Sequence, residues 1–205
     1  MSKEIRAFNF EVRAKADEER GKELEGRAIV YDARTDLGWY DEIIDADALK
    51  ETDLKDVRFL VNHNTDMIPL ARSRNNNENS TLQMTVDEEG MMIRANLDTE
   101  NNAEAKSLYS AVERGDLSGM SFMFTVDADK WEDLESDHPT RHILSIGKVF
   151  EVSAVTFPAY EQTSLEARGL AEALDSAKAS LEGAKAEQRA IERKKQKIRI
   201  LTEVL

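Results

Sequence analysis

The sequence predicts a mainly β fold with a few helices (α+β), followed by a long C-terminal helix. Over the first two thirds of the chain, short apolar runs alternate with polar residues at period two, and turns rich in Gly, Asn and Asp separate them. After residue 164 the apolar spacing changes to steps of three and four, and no proline occurs. The chain therefore divides into a domain of residues 1–164 and a helix of residues 165–205.

The first part of the chain contains several short predicted strands. Residues 7–14 and 24–31 alternate apolar and polar side chains, as half-buried strands do. A turn at residues 36–38 leads into a further strand. Residues 45–53 favour a short helix with an aspartate as its cap.

The middle of the chain alternates between strands and one helix. Residues 57–64 predict a strand that ends in polar residues, and residues 81–98 predict a hairpin whose turn contains Gly90. Thr99 is the predicted cap of a helix that stops at Gly115. Two more strands are predicted after that helix, at residues 121–129 and 142–157.

The C-terminal helix carries a heptad-like seam. Its members follow one another at steps of four and three: Leu170, Leu174, Ala177, Leu181, Ala184, Gln188, Ile191, Lys195, Ile198, Thr202 and Leu205. Such a seam is typical of a coiled coil, so the helix is expected to form a homo-oligomer (a dimer or higher) or to dock onto a scaffold. The alternative is an amphipathic helix that packs on its own domain.

Composition and charge exclude several function classes. The net charge of −13 and the pI near 4.8 argue against nucleic acid as the main partner, because phosphate binding needs a basic surface. The absence of cysteine excludes thiol nucleophiles and disulfides. No apolar run reaches the roughly 20 residues that span a bilayer, and the N-terminus has no signal-like apolar region. We therefore expect no membrane partner, and a protein that stays in the cytoplasm.

Three histidines are available for chemistry. His63 follows an apolar strand, where a side chain can be rigidly held and still be reachable; the alternative is that it simply ends the strand. His138 and His142 are four residues apart, a spacing that suits a metal on a helix. Pro139 lies between them in an acidic loop, which argues against that helix, so we predict no metal site.

The stretch DLSGMSFMF (residues 116–124) contains two candidate nucleophiles, Ser118 and Ser121. A serine needs a base to take its proton and donors to stabilise the oxyanion. Gly119 allows close backbone approach, and the turn can offer free N–H groups. The alternative is an ordinary helix-to-strand turn in which both serines cap backbone groups.

Glu151 lies in an otherwise apolar strand. A carboxylate there is costly unless it has a partner, and an imidazole would satisfy it. The alternative is an outward-facing residue, because Val149, Glu151, Ser153 and Val155 share one face of the strand and that face is mixed.

Five segments, in this order, resemble the prohead (capsid maturation) serine proteases of tailed bacteriophages, which are distant relatives of the herpesvirus assemblins. The segments are GRAIVYDARTDLGWYDEIIDADAL, FLVNHNTDMIPLARS, DEEGMMIRANL, AVERGDLSGMSFMF and FEVSAVTFPAYEQTSLEAR. The resemblance extends from about Leu24 to Arg168. It implies a small closed β-barrel of the herpesvirus-protease type.

The resemblance also implies the site residues. The family histidine matches His63, the nucleophile matches Ser121, and the acidic third member matches Glu151, with His142 as the alternative because assemblins use a second histidine there. No basic residue stands just after the nucleophile, so Gly119 and Met120 are the expected oxyanion or turn support. No cofactor is implied.

The function implied by the resemblance is cleavage during prohead maturation. The expected substrates are the scaffold, the arm of the major capsid protein and the protease itself, inside the prohead assembling in the host cytoplasm. The competing hypothesis is a catalytically silent scaffold protein that acts through its C-terminal coiled coil.

Overall fold

The computed structural model describes residues 3–8, 12–17, 21–156 and 164–203. Within those ranges the chain forms eleven strands and two helices. The strands are β1 (Lys3–Phe8), β2 (Arg13–Asp17), β3 (Gly21–Val30), β4 (Thr35–Asp36), β5 (Asp41–Ile44), β6 (Arg58–Val61), β7 (Ala71–Arg72), β8 (Leu82–Asp87), β9 (Gly90–Leu97), β10 (Gly119–Glu132) and β11 (Thr140–Val155). The helices are α1 (Ala103–Glu113) and α2 (Ser164–Glu203). The predicted mainly β fold with a long C-terminal helix is confirmed.

The larger sheet is built on the long antiparallel hairpin of β10 and β11. β1 pairs antiparallel with β10 and forms one edge of the sheet. β5 and β6 both run parallel to β11, β5 beside its first residues and β6 beside its last. This arrangement places the end of β6 next to the end of β11, where the candidate site lies.

The smaller sheet has the order β2-β3-β9-β8. The β8–β9 hairpin turns through Gly90, whose φ is +134°. A Cβ at Gly90 would lie 2.0 Å from the carbonyl oxygen of Ile29, so only glycine fits this turn. The predicted hairpin of residues 81–98 is confirmed, with its glycine in the expected conformation.

Apolar side chains of both sheets and of α1 form one large core cluster. Leu24, Ile29, Phe59, Phe122 and Val152 are among its fully or almost fully buried members. Among the described residues, the strand pairings form two separate sheets and close neither into a barrel, so the predicted barrel is not confirmed.

Three local predictions were wrong. The strand predicted over residues 7–14 is not continuous, because β1 ends at Phe8, β2 begins at Arg13 and the two belong to different sheets; residues 9–11 lie outside the described residues. Residues 45–53 form successive turns rather than a helix, because the backbone bonds join residues three apart and Asp47 has a φ of +66°. The cap of α1 is Asn102 rather than Thr99, because the Asn102 side chain accepts bonds from the N–H groups of Glu104 and Ala105.

Helix α2 packs on the domain through part of its length. Ala177 and Leu181 are buried in a cluster with Tyr40 and Trp131. The Trp131 indole N–H also donates to the hydroxyl of Ser180 at 3.0 Å. Farther along the helix, 46% of Ile191 is exposed. Within the described part of the chain, no helix is long and apolar enough to cross a membrane.

Candidate active site

His63 is the second residue after β6, and its backbone has a conformation that residues other than glycine rarely adopt. Asn62 and His63 have φ angles of +49° and +54°, both in the left-handed region. The surrounding contacts hold the turn: the Asn62 N–H donates to the Ala154 carbonyl at 3.0 Å, and the His63 N–H donates to Ser153 Oγ at 3.1 Å. Strain of this kind persists when the neighbouring structure fixes it, and it is concentrated at functional sites.

Ser121 and Glu151 come from the two strands of the central hairpin. Ser121 is the third residue of β10 and stands opposite Ser153 of β11. Glu151 stands opposite Met123, two residues farther along β10. Since side chains alternate along a strand, Ser121, Ser153 and Glu151 share one face of the hairpin.

The imidazole of His63 joins the two side chains. Its Nδ1 lies 2.7 Å from Glu151 Oε1, and its Nε2 lies 2.6 Å from Ser121 Oγ. An ionised carboxylate only accepts hydrogen bonds, so Nδ1 carries the proton that it donates to Glu151. In the neutral ring Nε2 is then the acceptor that faces the serine hydroxyl.

The site is buried on all sides. Ser121 is 0% exposed, Glu151 is 3% exposed and His63 is 4% exposed. A buried carboxylate is costly unless its oxygens are satisfied. Here Glu151 Oε1 accepts from His63, and its Oε2 accepts from the Ser153 hydroxyl. The carboxylate is therefore held in one orientation by two donors.

Ser153 is the site residue that the sequence did not single out. Its hydroxyl accepts from the His63 backbone N–H and donates to the Glu151 carboxylate. The one signal for it was alternation along the strand, which puts Ser153 on the same face as Glu151. Its contact with the His63 backbone depends on the pairing of β6 with β11, which no local pattern indicates.

Ser121 has a second partner on its other side. Ala7 of β1 stands opposite Ser121, and Ser121 Oγ lies 2.8 Å from the carbonyl oxygen of Arg6. Ser118 lies just before β10 and is exposed. Of the two candidate serines, the structure brings Ser121 to His63.

Gly119 and Met120 open β10, and both are buried. Met120 stands between Phe8 of β1 and Ala154 of β11. A role for their N–H groups at an oxyanion stays a prediction.

The other two histidines contact different carboxylates. His142 Nδ1 lies 2.6 Å from Asp45 Oδ1, and its Nε2 lies 3.4 Å from Glu132 Oε2. His138 Nε2 lies 3.1 Å from Asp41 Oδ1. Glu151 rather than His142 is therefore the partner of the His63 Nδ1.

In the described part of the chain, one group of side chains has ligand atoms close enough to hold a cation: Asp36, Asp41 and His138. His142 does not belong to it, so the sequence pair His138 and His142 does not form one site. Neither Ser121 nor His63 belongs to this group.

A buried charge cluster lies beside the nucleophile strand. Arg6 binds Glu42 and Glu4, and Arg141 binds the same two carboxylates. Burial by itself would raise the pKa of Glu4, but Arg6 and Arg141 outweigh it and hold that pKa below its ordinary value. Burial also raises the pKa of the neighbouring Tyr40 hydroxyl to about 12.

The family model of the caudovirus prohead serine proteases matches residues 8–176, well over half of the chain. The chain belongs to this family. The matched range contains His63, Ser121 and Glu151. The resemblance inferred from the sequence motifs is therefore confirmed, and membership of the family supports a serine-protease role.

Among solved structures, the chain is similar to the capsid assembly protease, gp21, of bacteriophage T4. The sequence identity is 12% and the TM-score is 0.38, and the match covers 77% of this chain and 100% of the T4 chain. No curated protein matches the sequence.

Proposed function

We propose that the chain is a serine endopeptidase with Ser121 as nucleophile, His63 as general base and Glu151 as the group that orients His63. Two contacts of the His63 ring support the proposal. Its Nε2 lies 2.6 Å from Ser121 Oγ, and its Nδ1 lies 2.7 Å from Glu151 Oε1. Nucleophile, base and orienting carboxylate at these distances are the parts that serine acyl transfer needs.

The mechanism follows from the tautomer that Glu151 selects. His63 Nε2 takes the proton of Ser121 as Oγ attacks the carbonyl carbon of a peptide bond. Glu151 stabilises the resulting imidazolium without taking its proton. His63 then gives the proton to the leaving amine, and a water activated by the same ring releases the acyl group.

The oxyanion that forms during attack needs donors close to Ser121. We assign this role to the backbone N–H groups of Gly119 and Met120, at the start of the strand that carries the nucleophile. Backbone donors suit the site, because the sequence has no basic residue just after Ser121.

The substrates we propose are the scaffold, the arm of the major capsid protein and other copies of this chain, inside the prohead in the host cytoplasm. Family membership supports a role in prohead maturation. No cofactor enters the proposed reaction.

The rival proposal is a catalytically silent assembly protein that acts through α2. Two features favour it: Ser121 is 0% exposed, and Ile191 and Ile198 lie seven residues apart on α2 with 46% and 62% of their surfaces exposed. A seven-residue spacing puts two side chains on the same seam of a coiled coil, so this half of α2 could hold a second copy or a scaffold helix.

Labelling with a fluorophosphonate tests the proposed activity. The unmodified chain, co-expressed with the capsid protein, is expected to cleave it and to be labelled at Ser121, while Ser121→Ala does neither. Ser118→Ala is the matched control, because Ser118 is the exposed serine of the same turn, and it should behave as the unmodified chain does. Capsid cleavage by Ser121→Ala would refute the assignment, and an unmodified chain that neither cleaves nor labels in assembled proheads would favour the rival.

A further inference from the structure

Strand β1 lies on the nucleophile strand along the edge of the larger sheet. All six residues of β1 pair with β10, from Lys3 opposite Thr125 to Phe8 opposite Met120. β1 is the edge strand, so β10 would be the edge if β1 left. An exposed strand edge is the surface to which an extended peptide adds by backbone hydrogen bonds.

The site as it stands does not admit a substrate. Ser121 is 0% exposed, and its hydroxyl must meet a peptide carbonyl carbon for attack. Some element over Ser121 must move first. β1 is the element whose backbone contacts the hydroxyl, through the carbonyl oxygen of Arg6.

β1 also competes for the proton of the nucleophile. The Ser121 hydroxyl has one proton and two acceptors within reach, His63 Nε2 at 2.6 Å and the Arg6 carbonyl at 2.8 Å. A proton donated to Arg6 is not available for transfer to the base. β1 therefore interferes with activation of Ser121 as well as covering it.

The pose of Arg6 is that of an inhibitor rather than a substrate. In a productive complex the carbonyl oxygen faces the oxyanion donors, while Oγ faces the carbonyl carbon. Here the carbonyl oxygen itself accepts from Oγ.

Buried ion pairs anchor β1 in place. Arg6 binds Glu42 of β5, and Glu4 binds Arg141 of β11 at 2.8 Å. The side chains of Glu4 and Arg6 are almost fully buried, so their charges depend on these partners. Glu4 and Arg6 carry opposite charges, and losing both leaves Glu42 and Arg141 facing each other at 3.2 Å.

Helix α2 holds the same cluster from outside. The Ser176 hydroxyl donates to Glu4 at 3.2 Å, and the Ser180 hydroxyl donates to Asp129 at 2.8 Å. Asp129 in turn accepts from Arg141 at 2.7 Å. A partner that pulls α2 away would therefore loosen the anchors of β1.

We propose that β1 is an intramolecular inhibitory strand, held by the buried charge cluster and by α2, that occupies the β10 edge where the substrate peptide pairs. The inference rests on the proposed serine-protease function. It places a switch between α2 and Ser121: the enzyme is closed while α2 clamps β1, and it opens when β1 leaves the edge.

A disulfide between β1 and β10 tests the strand directly. Ile5 and Met123 stand opposite each other, a separation that a disulfide can bridge, and the chain has no other cysteine. The oxidised full-length I5C/M123C variant should label with fluorophosphonate about tenfold more slowly than its reduced form, because labelling follows the open fraction. The control is T85C/M92C, a facing pair in the smaller sheet, for which oxidation should not change labelling.

A second variant releases the strand instead of locking it. E4S/R6S removes one charge of each sign, and faster amide exchange of β10 residues 120–125 should verify that β1 has left. Labelling at Ser121 should then rise about tenfold or more. Labelling that is unchanged in both variants, or a released β10 edge with an unreactive Ser121, would overturn the inference.

These outcomes are separate from failure of the proposed function. If the unmodified chain cleaves capsid protein in proheads while oxidised I5C/M123C labels at the rate of its reduced form, the protease proposal stands. In that case the proposal of an inhibitory strand is refuted. If the unmodified chain does not cleave in proheads and E4S/R6S does not label, both fall.

Discussion

Glu151 and His63 meet across two parallel strands, with Glu151 Oε1 2.7 Å from His63 Nδ1 and both side chains almost wholly buried. β6 pairs with the end of β11, so the turn that follows β6 brings His63 to the carboxylate. The left-handed turn at Asn62 and His63 then directs the imidazole towards Ser121.

Ser121→Ala should abolish cleavage of the capsid protein and fluorophosphonate labelling while leaving the fold intact. The substitution removes the hydrogen bond from the Ser121 hydroxyl to the Arg6 carbonyl, so the free energy of unfolding should fall by about 1 kcal/mol. Chemical denaturation measures this change. A folded Ser121→Ala variant that still cleaves the capsid protein would contradict the assignment of Ser121 as nucleophile.

Glu151→Gln should lower kcat by about 10³-fold to 10⁴-fold, because an amide no longer fixes the proton of His63 on Nδ1. His142→Asn should leave kcat unchanged, since the His142 ring contacts Asp45 and Glu132 instead of His63. Steady-state cleavage of a peptide substrate compares the two. The reverse result would make His142 the third member of the triad.

Ser153→Ala should reduce activity by about 10-fold to 100-fold, because Glu151 loses a donor that orients it. The His63 backbone N–H also loses its acceptor, so stability should fall by about 1–3 kcal/mol. Ser153→Thr keeps the hydroxyl and should restore much of the activity if the residue fits. Equal activity of Ser153→Ala and the unmodified chain would contradict a positioning role.

The protein should lose stability in acid through Glu4. Its pKa in the folded protein lies below the ordinary value of 4.5, so its contribution is complete above pH 4.5. That contribution declines as the pH falls through the lowered pKa, where protonation breaks the pairs with Arg6 and Arg141. Between pH 6 and pH 3, the free energy of unfolding should fall less steeply with decreasing pH in Glu4→Gln than in the unmodified chain. An equally steep fall in both proteins would contradict this role of Glu4.

Leu181→Ala should destabilise the docking of α2 by about 2 to 3 kcal/mol, because Leu181 is buried against the domain. Ile191→Ala is the matched control on the same helix, and it should change the stability by less than about 0.5 kcal/mol because Ile191 is half exposed. Denaturant unfolding of both variants tests this pair. Equal losses would mean that α2 is held along its whole length.

Much of the fold was readable from local pattern. Period-two alternation predicted the strands around Ser121 and Glu151, and Gly90 predicted the β8–β9 turn. The prediction of a short helix at residues 45–53 was wrong, because Asp47 adopts a left-handed φ. The spacing of the apolar residues does not reveal that conformation. The cap of α1 was misplaced by three residues, since both Thr99 and Asn102 offer a suitable oxygen.

Local sequence patterns were enough to predict the chemical types at the site: one histidine after a strand, one serine at the start of a strand, and one carboxylate inside a strand. The order of the family motifs then indicated that these three residues belong to one site. These features are local, because the hydrophobic period and the turn-forming residues can both be recognised within a short stretch of sequence.

Three features of the site required the folded chain: Glu151 rather than His142 contacts His63, Ser153 contacts both residues, and β1 lies on Ser121. The contacts of His63 with Glu151 and Ser153 join residues 88 and 90 positions apart, and the contact of Ser121 with Arg6 joins residues 115 positions apart. They depend on the parallel pairing of β6 with β11 and on the edge pairing of β1 with β10. The residues of a strand determine which of its faces is buried, but they do not determine which other strand it pairs with.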